Sequence, residues 1–93
     1  MKNRWIRNIL KRFGIRLHLE GALYLAWMIE RFRPGDLVTK ELYPECGKAF
    51  STNGARVERA CRYALAHGGL DVQGMTITEF LTEIYWELQD DVA

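Results

Sequence analysis

Arg56, Glu58, Arg59 and Arg62 crowd onto the stretch 51–67, which reads Ser-Thr-Asn-Gly-Ala-Arg-Val-Glu-Arg-Ala-Cys-Arg-Tyr-Ala-Leu-Ala-His. These residue types have a definite chemistry. A guanidinium is a planar fork that suits bidentate contact with guanine N7 and O6, and a carboxylate can accept from the cytosine amino group. Glu58 stands beside Arg59 and one helical turn before Arg62, so it can also hold an arginine in place. Lys48, Ser51, Thr52, Asn53, Arg56 and Tyr63 are of the types that donate to phosphate oxygens. The same residues also suit the solvated face of an ordinary bundle helix, and at this level both readings stand.

Other chemistries find little support. His18 and His67 sit in different segments with no nucleophile or metal-ligand pattern nearby, and read as capping or surface residues. Cys46 and Cys61 lack metal-site spacing and read as small core residues in a reducing cytoplasm. Gly68, Gly69 and Gly74 are spaced for turns rather than for cradling phosphate, and Glu79 with Glu83 reads as a solvated helix face. No catalytic centre, metal or cofactor is expected.

The elements that must carry the arginines follow from periodicity. Val57, Ala60, Cys61, Ala64 and Leu65 recur at helical spacing and put one stripe toward a core, leaving Arg56, Glu58, Arg59, Arg62 and Tyr63 on other faces. Ser51, Thr52 and Asn53 are competent N-caps, and Gly68-Gly69 supplies the stop. Upstream, Pro44 to Phe50 reads as a shorter helix with proline in its first turn. Short helix, tight turn and arginine-bearing helix across 44–67 have the order of a helix-turn-helix, whose second helix enters the major groove. Ala49 and Ala60 are expected to let the two helices cross closely, with Phe50 and Val57 near the corner.

The rest of the chain supplies a scaffold. Its 93 residues, 48% hydrophobic and 27% charged, suffice for one modest core and predict a single all-α domain, a compact helical bundle. Trp5, Ile6, Ile9, Leu10 and Phe13 line one side of a basic amphipathic docking helix over 1–14, ended by Gly14, whose charges rule out a signal peptide or transmembrane span. Leu19 to Phe32 has almost no polar face and should be the most buried helix. After it, Asp36 can cap a helical stretch from Leu37 to Tyr43. Leu70 to Val72 can be extended, and Thr76 with Glu79 forms a capping box for a final helix over 76–89 that buries Ile77, Phe80, Leu81, Ile84 and Leu88. The formal net charge is only +1, but the chain is polarised. Residues 1–16 carry six basic residues, Lys2 and Arg16 among them, and no acid, while from Asp71 to the end there are acids such as Asp90 and Asp91 and no lysine or arginine.

A resemblance sharpens this. Thr39-Lys40-Glu41-Leu42-Tyr43-Pro44, Lys48-Ala49-Phe50, Arg56-Val57-Glu58-Arg59-Ala60, Arg62 and Ala64 are similar to the C-terminal DNA-binding domain of stage zero sporulation protein A, as are Gly21-Ala22-Leu23-Tyr24-Leu25 and Glu79-Phe80. The resemblance implies a helix-turn-helix transcriptional regulator of sporulation that binds double-stranded DNA at a TGTCGAA-like box, with Glu58, Arg59 and Arg62 at the base-contacting positions. It also implies pairing into a homodimer on DNA and contact with RNA polymerase. This chain departs from the family at 68–75, where the family has a longer, partly helical segment. The family's phosphoaccepting receiver domain is absent from these residues, so binding is expected to be constitutive and set by concentration. A competing expectation is a protein-interaction module, a degenerate effector domain that titrates the full-length regulator or RNA polymerase without reading DNA. Anchoring on a membrane surface through residues 1–13 is the weaker third.

Overall fold

Glu20–Arg31 forms helix α2, into which the chain concentrates its apolar residues, and every other α-helix packs against it. The computed structural model describes residues 4–92, and side chains as far as residue 89. The first three residues of the expected docking helix, Lys2 among them, lie outside the described residues, as do Ala93 and the side chains of Asp90 and Asp91. Around α2 stand α1 (Arg4–Arg12), α3 (Tyr43–Ala49), α4 (Gly54–Ala66) and α5 (Ile77–Val92), with no strand among the described residues. The fold is all-α.

Ala22, Leu25 and Met28 of α2 are fully buried, as a helix with so little polar surface must be. One outward line remains, made by Glu20, Leu23, Glu30 and Arg31 beside a half-buried Trp27. α1 docks through Ile6, Ile9 and Leu10, and the half-buried Phe13 meets Phe80 of α5 edge-on at 5.6 Å. Trp5 is 51% exposed instead of joining that stripe, because it lies at the stripe's margin on a helix of 3.6 residues per turn. Gly14 closes α1 at φ 76°, with the Ile15 N–H donating to the Leu10 carbonyl at 2.9 Å. A Cβ on Gly14 would stand 2.6 Å from the Gly69 nitrogen. The end of α1 is therefore held against the loop after α4.

Two connections differ from the reading of the sequence. Asp36 does not cap the next helical stretch; its carboxylate accepts from the Arg33 N–H at 2.8 Å and closes the Arg33-Pro34-Gly35-Asp36 turn on itself. That next stretch is helical, but as a wide π-turn, Val38–Leu42, running directly into α3. Pro44 accounts for this, since it has no N–H for the Lys40 carbonyl and its ring would crowd that carbonyl in an ordinary α-turn. Leu70 to Val72 is a set of turns rather than extended, with Leu70 89% exposed and Val72 fully buried as the plug under the loop. The final helix begins after the expected capping box. The Thr76 N–H donates to Glu79 at 2.9 Å, and the Glu79 N–H donates to the Thr76 hydroxyl at 3.1 Å. These bonds hold the Glu79 carboxyl below its usual range. α5 buries Ile77, Phe80, Leu81 and Ile84, keeps Leu88 half-buried, and continues past residue 89 to Val92. Arg12 reaches it from α1, 2.8 Å from the Glu87 carboxylate.

Candidate nucleic-acid interface

α3 ends in a tight corner that aims α4. Phe50, Ser51, Thr52 and Asn53 separate the two helices, the Thr52 N–H donates to the Gly47 carbonyl at 2.7 Å, and the Ser51 N–H donates to the Lys48 carbonyl at 3.4 Å. That pair of bonds is a Schellman closure, which needs a left-handed residue at its apex. Ser51 occupies the apex at φ 57°. Asn53 then caps α4, its side-chain oxygen accepting from the Arg56 N–H at 2.9 Å.

The close approach within the corner belongs to glycine, not to Ala49, which is exposed. A Cβ on Gly47 would lie 2.8 Å from the Asn53 carbonyl carbon, and one on Gly54 would lie 3.2 Å from the Pro44 nitrogen. Ala60 does mark a tight crossing, but with α2, where a Cβ on Gly21 would come within 2.2 Å of the Ala60 carbonyl oxygen. The Cys61 thiol donates to the Gly21 carbonyl at 3.9 Å in the same contact. Phe50 packs on Tyr24 of α2 with ring centroids 5.2 Å apart, while Val57 is fully buried below the corner.

With Val57, Cys61, Ala64 and Leu65 buried, the remaining faces of α4 turn outward. At about 100° per residue, Ala55, Arg59 and Ala66 run along the middle of the outward face, with Arg62 to one side and Arg56 and Tyr63 to the other, and all are exposed. Each flank is tied down differently. On one side Arg56 leans toward the start of α2, with its Nη2 3.6 Å from Glu20 Oε1. On the other, Glu58 and Arg62 pair at 3.1 Å across one helical turn. Between them, Arg59 has no ion-pair partner among the described residues. A groove beside this face is lined by Leu19, Glu20, Arg56, Arg59, Ala60 and Tyr63.

Of the residues expected at phosphates, Lys48 and Ser51 are exposed at the end of α3 and at the corner, and Thr52 is half-buried. The Asn53 side chain is exposed, with its oxygen already engaged as the cap. Tyr63 is 54% exposed and stacks on His67 with centroids 4.0 Å apart, while His67 Nδ1 lies 3.0 Å from the Tyr63 carbonyl. Glu20, Ala55 and Ala66 also join this surface, beyond the residues expected from the sequence. For Ala55 and Ala66 the signal was the i, i+4, i+11 line through Arg59; for Glu20, distant in sequence, there was none.

Both thiols are free and buried. Burial pushes Cys46 up to about 12 and raises Cys61 further, so neither offers a thiolate near neutral pH. Among the described residues no group of His, Cys, Asp and Glu could hold a metal ion, and no helix is long and apolar enough to cross a membrane.

An all-α fold in which a short helix, a four-residue corner and an arginine-bearing helix with a free outer face succeed one another has the build of a helix-turn-helix domain. A family model described as "Sporulation initiation factor Spo0A C terminal" matches residues 6–84 of the 93. The chain belongs to this family of DNA-binding effector domains, whose setting is transcription regulation at the start of sporulation.

Proposed function

We propose that the chain is a sequence-specific transcriptional regulator whose 93 residues act as one DNA-binding domain, with α4 seated in the major groove of a TGTCGAA-like box. The observation that carries this reading is the outward face of α4, where Arg59 is unpaired among the described residues and Arg62 is steadied by Glu58. Glu58, Arg59 and Arg62 face base edges, while Lys48, Ser51, Thr52, Asn53, Arg56 and Tyr63 sit toward the phosphates on either side. Two copies pair on tandem boxes, and the surface away from α4 is left for RNA polymerase. The protein works in a reducing cytoplasm, where both thiols remain unpaired.

A mobility-shift titration of the purified chain on cognate and scrambled duplexes, repeated across a salt series, tests this. The expected result is a preference for the cognate box of at least about 10³-fold at physiological salt, with both affinities falling steeply as salt rises. Equal affinity for the two duplexes would remove sequence reading, and failure to bind either would leave a protein-interaction module instead.

A further inference from the structure

We infer that Glu20 is a positioning residue for DNA binding, a built-in competitor that holds Arg56 away from the phosphate backbone and so restrains binding to every duplex alike. The inference rests on the reading of α4 as the DNA-reading helix. Glu20 opens α2, far from Arg56 in sequence, yet the crossing at Gly21 and Ala60 brings α2 so close to α4 that the carboxylate and the guanidinium meet at 3.6 Å. Both side chains are well exposed, 59% and 62%, so water and salt weaken the pair and Arg56 can change partners. The two line the same groove as Arg59, next to the stripe that would face DNA.

The exchange has a definite charge balance. In the free chain Arg56 is shared with a carboxylate; on a duplex the phosphate takes the guanidinium and leaves Glu20 beside an anion of its own sign. Capturing a phosphate with Arg56 therefore costs the ion pair and incurs a repulsion, and the basic surface acts as if it carried about one charge fewer. Phosphate contacts are common to cognate and random sequences, so the restraint applies equally to both and leaves their ratio unchanged. Its effect is to lower the affinity for all DNA, so that the chain is held less strongly by charge alone.

A double-mutant cycle on the full chain tests this, with Glu20→Gln, Arg56→Ala and the double variant titrated on cognate and scrambled duplexes across a salt series. Glu20→Gln is expected to tighten both duplexes by about two- to fivefold, the range of an exposed ion pair, and to steepen the salt slope by up to about 0.9. Both effects should be clearly smaller in the Arg56→Ala background, where only the repulsion between Glu20 and the phosphates remains. A structural role at the start of α2 would move the melting temperature, recorded alongside, but not the salt slope. An unchanged affinity for Glu20→Gln, or an equal gain with and without Arg56, overturns the inference while the cognate preference stands. Loss of cognate preference in the parent, with the cycle intact on scrambled DNA, overturns the sequence-reading function and keeps the restraint. A parent that binds neither duplex overturns both.

Discussion

Ser51 is the sole non-glycine residue with positive φ among the described residues, and it sits at the corner that aims α4. A left-handed conformation costs a side-chain-bearing residue roughly 1–2 kcal/mol, while glycine would give back about 0.5–1 kcal/mol in chain entropy. The Ser51→Gly variant is thus expected to be more stable than the parent by up to about 1 kcal/mol in thermal or urea unfolding. If the serine hydroxyl also donates to a phosphate, the same variant will bind cognate and scrambled duplexes slightly and equally less well despite its greater stability. A variant both more stable and unaltered in binding would leave Ser51 as a strained corner without a DNA contact.

Among the elements, the crossing of α2 and α4 sets the position of everything proposed to touch DNA. Gly21 has no room for a Cβ against the Ala60 backbone, so Gly21→Ala must separate the helices; it is expected to cost about 1–3 kcal/mol or more in unfolding free energy and to displace Glu20 from Arg56. Gly74→Ala, with open space around its Cα, is the matched control and should change stability little. Equal stabilities for the two variants would show that the crossing is looser than its geometry implies. The Asn53 cap, the Thr76–Glu79 box and the Gly14 stop are local patterns, and each appears in the structure where its residues lie, as does the expected α4 stripe, buried at Val57, Cys61, Ala64 and Leu65 and half-buried at Ala60. What stayed hidden depends on partners distant in the chain. No local pattern says that Gly47 rather than Ala49 makes the corner tight, that Gly21 faces Ala60, or that Glu20 reaches Arg56. The π-turn before α3 lies between these cases, for Pro44 marks the junction but does not reveal how the strain is taken up. The candidate readers on α4 come from the resemblance; the structure adds which of them share a face.

For the whole molecule, the basic start and acidic end of the chain meet within one copy, where Arg12 pairs with Glu87 and Phe13 packs on Phe80. The attraction between the two ends is thus at least partly satisfied internally. Sedimentation of the free chain is therefore expected to show a monomer at low and moderate salt, with pairing seen only when a duplex carries tandem boxes. A tight dimer without DNA that is indifferent to salt would contradict this and place the pairing surface elsewhere.

The outer face of α4 is proposed to read bases. The most direct test is competition binding of the parent, Arg59→Ala and Arg62→Ala against a set of duplexes in which each base pair of the box is replaced in turn. Each arginine variant is expected to lose about 1–3 kcal/mol on the intact box and to become indifferent to one base-pair position while keeping its discrimination at the others. Lys48→Ala and Arg56→Ala, in the same assay, should weaken every duplex alike and lower the salt slope by roughly one unit per contact. If Arg59→Ala and Arg62→Ala fold normally and keep the full discrimination profile of the parent at every position, α4 is not the reading helix.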